Sequence, residues 1–185
     1  SAYQLAKEIV QALKPLADDK DIDLTLQVLG EGDRAPEQNA PPPQPGDYQV
    51  EADRIELHRL LTNLLGNAIK FTDSGSISVQ LSIIDADTCD AIPTPEAVAI
   101  AIQDTGVGIE PAAQEKIFDW FFQGDHMRAG SGLGLHLSKR IAQMHDGTLT
   151  VDSELGKGST FTLALPRACP VASSTVSAMA QEAQN

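Results

Sequence analysis

NLLGNAIKFT, running from Asn63 to Thr72, closes a segment in which apolar residues return at helical spacing. Asp53 and Glu56 stand at the cap and third positions of a capping box, so a helix is expected from Asp53 to Lys70. Leu57, Leu60, Leu61, Leu64, Leu65 and Ala68 form its buried stripe. Asn63, Asn67 and Lys70 follow one another at spacings of four and three residues and project from a different face. The result is a polar ridge beside a core. An amide oxygen can coordinate Mg²⁺, a hard octahedral ion that keeps waters and bridges substrate phosphates, and an ammonium can neutralise phosphate oxygens. A polar ridge is equally compatible with a solvated helix face, so its meaning depends on its surroundings.

Upstream, Leu5, Ile9, Leu13 and Leu16 recur at helical spacing, with Pro15 late in the segment, and predict an opening amphipathic helix. Asp23 to Val28 alternates as a strand does, and Gln49 to Ala52 is its expected hairpin partner. Between them, Glu31 to Asp47 holds five prolines and almost nothing apolar, which predicts a mobile surface insertion; PPPQP within it also fits a proline-rich ligand. Downstream, Ile77 to Ile83 and Val98 to Ile102 read as a hairpin across an acidic connector, Asp85 to Glu96. Leu133 to Met144 reads as a helix, and Thr148 to Val151 and Thr160 to Leu165 as two closing strands around the turn at Gly156 to Gly158. The tail after Pro166 is small and polar, so the domain is taken as residues 1–167 and 168–185 as a disordered tail.

Further short segments lie between these elements. In DTGVGI, Asp104 to Ile109, a carboxylate at a strand end can accept from the exocyclic amine of adenine and reject guanine, while Gly106 and Gly108 let backbone pass close to a base. As an isolated string, DTG is also an ordinary turn. In GSGLGL, Gly130 to Leu135, glycines lead into a helix whose first N–H groups and dipole suit polyphosphate. No GKS or GKT follows, so it is not a Walker loop, and no βαβ unit surrounds it as a Rossmann fingerprint requires. KIFDWFFQ, Lys116 to Gln123, places Ile117, Phe118, Phe121 and Phe122 as a packing anchor between the two glycine segments.

In this order, NLLGNAIKFT, DTGVGI, KIFDWFFQ and GSGLGL resemble the N, G1, F and G2 boxes of the catalytic ATP-binding (HATPase_c) domain of sensor histidine kinases, within the gyrase, Hsp90, histidine kinase and MutL (GHKL) superfamily. The resemblance runs from about Ser1 to Arg167. It implies an α/β (α+β) two-layer sandwich of the Bergerat type, with a mixed sheet covered on one face by helices and an ATP lid from about Glu110 to Ala129. It also implies a site. Asn67 matches the Mg²⁺ ligand, Asn63 and Lys70 match residues at the phosphate end of ATP, and Asp104 matches the adenine-recognising carboxylate. Gly106, Gly108, Ile109, Gly130, Ser131, Gly132, Leu133, Gly134 and Leu135 complete the implied nucleotide-binding set. Two departures bear on the lid: Trp120 stands where the family often has Pro, and the stretch from Gln123 to Gly130 is short.

Relatives that hydrolyse ATP place a Glu at the first N-box position, where this chain has Asn63. An amide cannot act as a general base, which disfavours a stand-alone ATPase. The resemblance implies γ-phosphoryl transfer to a His on a separate dimerisation and phosphoacceptor domain, with Asn63 and Lys70 in catalytic positions and a response regulator downstream. None of His58, His126 and His136 is followed by the acidic residue that usually accompanies a phosphoacceptor, and His145, in HDG, matches a structural position at a helix end. A catalytically silent ATP-sensing or interaction module with the same pocket stands as the alternative.

Composition is consistent with these expectations. A chain of 185 residues with 42% hydrophobic side chains suits one domain with a real core. The formal charge of -13 opposes binding to nucleic acid or to anionic membrane through a general basic surface. Cys89 and Cys169 lack metal-ligand spacing and fit a reducing, cytoplasmic setting. No apolar run reaches the roughly 20 residues of a membrane span, so no direct membrane contact is expected of this piece.

Overall fold

The structure is a computed structural model that describes residues 1–29, 44, 46–85, 92, 96–120 and 133–168. Its elements are α1 (Ala2–Asp18), β1 (Ile22–Val28), α2 (Arg54–Phe71), β2 (Gly75–Asp85), β3 (Glu96–Asp104), the single turn α3 (Pro111–Gln114), α4 (Gly134–Met144), β4 (Thr148–Glu154) and β5 (Gly158–Pro166). The strands form one five-stranded sheet in the order β1-β2-β3-β5-β4. Only the β1–β2 pair is parallel, with α2 lying in the connection that such a pair needs.

Register explains why the sheet has one helical face. Leu24 lies opposite Ile77, Val79 opposite Ile102, Leu81 opposite Ile100 and Ile83 opposite Val98. Phe161 and Leu163 continue these rows, and all are buried in one cluster with the α2 leucines, Leu5 and Ile9 of α1, and Ile141 of α4. Ser78, Gln80, Ser82, Thr160 and Thr162 occupy the alternate positions and face the other way. Asp104 lies opposite Ile77 and Ser159, so its carboxylate ends a row of the core face.

Most expected elements are present, and the strands are longer than the sequence signal. The expected hairpin of Asp23–Val28 with Gln49–Ala52 is not formed. β1 pairs instead with β2 along its whole length, while Val50 makes only an isolated bridge to Arg167. An eleven-residue strand offers β1 a full ladder, whereas the short stretch before Asp53 runs straight into the α2 cap. In α1, Leu16 is 54% exposed and Ala17 is buried, because the inward row runs Ile9, Leu13, Ala17 at four-residue steps. At the far end of the Pro-rich stretch, Gln44 and Asp47 form a turn, and Arg167 Nε donates to Asp47 O at 3.0 Å, so Asp47 is tied to the domain. The fully buried Tyr48, which the sequence reading passed over, donates to Leu29 O at 2.9 Å and draws the two ends of that stretch together. Residues 30–43, the tail from 169, Cys89 and Cys169 lie outside the described residues. Among the described residues no helix is long and apolar enough to cross a membrane.

Candidate nucleotide site

Helix α2 carries the polar ridge, and the structure accounts for both its ends. Asp53 caps the N-terminus by accepting from Ile55 N and Glu56 N, which hold its carboxyl below the usual range, the Glu56 bond contributing most. The reciprocal bond expected from Glu56 is replaced: Asp53 N donates to His145 Nε2 at 2.9 Å. His145 Nδ1 meets Ile141 O at 2.8 Å, so the carbonyl fixes the proton on Nδ1 and leaves Nε2 as acceptor. His145 therefore joins the end of α4 to the start of α2, a structural role.

Asn63, Asn67 and Lys70 are half-buried along the later turns of α2. Asn63 Nδ2 donates to the buried Ser138 Oγ of α4 at 2.9 Å. A Cβ placed on Gly134 would lie 2.3 Å from Asn63 Oδ1, so a larger residue there would displace the Asn63 amide from its bond to Ser138. Lys70 Nζ stands 4.9 Å from the centre of the Phe71 ring. Gly130, Ser131 and Gly132 lie outside the described residues, while Leu133 precedes and Gly134 and Leu135 open α4 beside Asn63.

At the other end of the ridge, Asp104 is only 6% exposed. Burial pushes its carboxyl above the usual carboxylate range, against the opposing pull of backbone hydrogen bonds from Gly106 and Ser159. Gly106 N reaches Asp104 Oδ1 at 2.8 Å, and a Cβ on Gly106 would lie 2.5 Å from Phe71 O and 2.8 Å from that same carboxylate oxygen. Gly108 has φ +68°, and Glu154 O would lie 2.1 Å from a Cβ there. Ile109 N donates to Ser153 Oγ at 2.8 Å and its side chain packs on the core. Sequence reasoning missed Ser159 and Gly158. A Cβ on Gly158 would meet Asp104 O at 2.0 Å, so the glycine read as a turn also admits β3 next to β5. Thr72, equally unremarked, is fully buried and its Oγ1 has no hydrogen-bond partner among the described residues.

The F segment is anchored as expected at Ile117 and Phe118, both buried. His136 Nδ1 donates to Phe118 O at 2.8 Å, Lys139 Nζ lies 4.8 Å over the Phe118 ring, and the Trp120 ring sits 4.3 Å from that of His136 at a 40° tilt. The lid expected from Glu110 to Ala129 packs, in its described part, on β4 through Gln114 and on α4 through Phe118 and Trp120. Its remainder, with Phe121 and Phe122, lies outside the described residues.

Two glycine-bearing segments therefore abut one helix, Gly106 against the Phe71 carbonyl and Gly134 against the Asn63 side chain. Residues 52–168 match the family described as histidine kinase-, DNA gyrase B- and HSP90-like ATPase. The chain belongs to that family. Among the relatives of this ATPase-family domain, the sensor-like histidine kinase SenX3 of Mycobacterium tuberculosis is 42% identical over 127 residues, covering 66% of this chain and 28% of SenX3. The autoinducer 2 sensor kinase/phosphatase LuxQ of Vibrio vulnificus is 38% identical over 126 residues, covering 66% of this chain and 14% of LuxQ. Full-length ShkA, solved in complex with AMPPNP, superposes with a TM-score of 0.69 at 28% identity over 91% of this chain and 30% of its own. The mycobacterial sensor histidine kinase MprB gives 0.62 at 26% identity over 87% of this chain and 93% of that structure. These superpositions take in more of the chain than the family match does. The chain is an ATP-binding catalytic domain of the sensor histidine kinase type, and it spans only a minor part of the length of its curated relatives.

Proposed function

We propose that this domain holds ATP with Mg²⁺ along α2 and, within a longer kinase, presents the γ-phosphoryl group to a His on a separate dimerisation and phosphoacceptor domain, from which it passes to a response regulator. The observation that carries this is the placement of Asp104 and Gly106 at the Phe71 end of α2 and of Gly134 at Asn63. Asn63 to Phe71 spans about 12 Å at the helical rise, the scale of a nucleotide with its phosphates. Asp104 accepts the adenine amine, Gly106 leaves room for the base, and the unmet hydroxyl of Thr72 offers a further polar contact beside them. Lys70 and the start of α4 take the phosphates.

Asn67 suits the metal. Among the described residues no three His, Cys, Asp or Glu side chains gather into a metal site, and an amide oxygen completed by phosphate oxygens and water matches Mg²⁺ chemistry. When bound, Mg²⁺ supplies charge neutralisation at the phosphates. In the transfer, an acceptor imidazole nitrogen forms the bond to γ-phosphorus as the bond to the β,γ-bridging oxygen breaks and ADP leaves. Lys70 offsets the developing charge. Asn63, engaged with Ser138, holds α4 against α2 and cannot take a proton from water, so hydrolysis stays slow.

The test is transfer in trans. With the phosphoacceptor domain of its own parent, the folded chain should label that domain's His from γ-labelled ATP, giving an acid-labile, base-stable product that is lost with Asn67→Ala. Failure at high concentrations of both partners, with ATP binding intact, would favour the silent-sensor alternative.

A further inference from the structure

The C-terminus of α2 is held by a residue outside every sequence motif of the site. Thr72 follows the helix in an extended conformation, and no glycine cap stands there. The last turn's carbonyls are nonetheless all engaged. Ala68 O accepts from Thr72 N at 3.1 Å and Phe71 O from Val107 N at 3.3 Å. The Lys20 ammonium donates to Ile69 O at 2.6 Å and Thr72 O at 2.8 Å, and reaches Lys70 O at 3.4 Å. An ammonium carries three donors, and its positive charge suits the negative end of the helix dipole.

Lys20 is itself held in place. It lies half-buried in the turn joining α1 to β1, where Lys20 N donates to Ala17 O at 3.0 Å and Asp21 N to Asp18 O at 3.1 Å. Asp21 has φ 54°, which turns the chain into β1. The last turn of α2 is thus gripped between the α1–β1 turn on one side and the Gly106–Val107 backbone on the other. That turn bears Lys70 and Phe71, whose carbonyl abuts Gly106.

We infer that Lys20 is a positioning residue for nucleotide binding: by tying down the Ile69, Lys70 and Thr72 carbonyls it fixes the turn that aims Lys70 at the phosphates and sets Phe71 against the base-binding backbone. This rests on the ATP-binding reading above. Lys20 touches no nucleotide; it acts through α2.

The test compares Lys20→Met, Lys20→Arg and a control, Leu13→Ala, which weakens α1 packing without touching α2's carbonyls. Affinities for Mg²⁺–ATP and for adenosine are measured by calorimetry at a temperature where melting curves show every variant folded. Lys20→Met should lose about fivefold or more in ATP affinity. Lys20→Arg should recover most of it, and Leu13→Ala should bind as wild type does despite a lower melting temperature. If Lys20→Met does not fold, Lys20→Gln, which keeps two donors, replaces it with the same expected direction. A folded Lys20→Met or Lys20→Gln that binds ATP within twofold of wild type overturns the inference, as does an equal loss in Leu13→Ala. Failure of wild type to bind ATP at all would instead strike the functional reading on which it rests.

Discussion

Asp104 stores an opposition between stability and function. Its carboxyl is raised above the usual range chiefly by burial, so the native state takes up its proton more readily than the unfolded chain does. Its contribution to stability is therefore full below the unfolded value near 3.8 and is lost as pH rises through the raised native value. Asp53 works the other way, since its lowered value makes its contribution present above 3.8 and lost as pH falls through the lowered one. Acidification from neutral pH toward 4 should thus relieve the Asp104 penalty while weakening ATP binding, because a protonated carboxyl becomes a donor on one oxygen. Melting curves and calorimetry across that window, in wild type and Asp104→Asn, check this. A fall in affinity that persists unchanged in Asp104→Asn would assign the titration to another group.

At the scale of elements, α2 is organised by partners that a local reading cannot see. Asp53 and Glu56 have capping-box spacing, yet the Asp53 N–H goes to His145, far along the chain at the end of α4. His145→Ala should cost about 1 kcal/mol through loss of the bonds to the Asp53 N–H and the Ile141 carbonyl, lowering the melting temperature by a few degrees, whereas Glu56→Ala should cost a few tenths. Equal losses in thermal denaturation would restore the reciprocal box. The leucine stripe of α2 and the β2–β3 hairpin were legible because each is a strong local periodicity that tertiary packing reinforces. The partner of β1 was not legible, because a parallel pairing is made across an intervening helix and leaves no turn signature between the strands. Lys20, Tyr48 and Ser159 were invisible for the same reason: each acts through backbone groups remote in sequence, and no spacing marks them.

On the scale of the whole molecule, the sheet serves as a floor and α2 as the beam on which the site is laid. One face of the sheet carries the apolar rows and the buried end of Asp104. Above it, the α1–β1 turn holds α2's last turn through Lys20, and α4 meets α2 at Gly134 and His145. The candidate site residues that the sequence marks are those whose proposed chemistry needs a fixed residue type at a fixed spacing, namely the amides of α2, Asp104 and the glycines at close approaches. What the spacing does not carry is orientation: Asn63 turns its amide to Ser138, and the F segment is pinned on α4 through His136. Selection of ATP by this assembly should rest on Asp104, which calorimetry with Mg²⁺–ATP and Mg²⁺–GTP on wild type and Asp104→Asn can decide. Wild type should prefer ATP, and Asp104→Asn should lose at least about tenfold in ATP affinity, some 1.4 kcal/mol; equal ATP affinity in the two proteins, or equal binding of ATP and GTP by wild type, would overturn the assignment of Asp104.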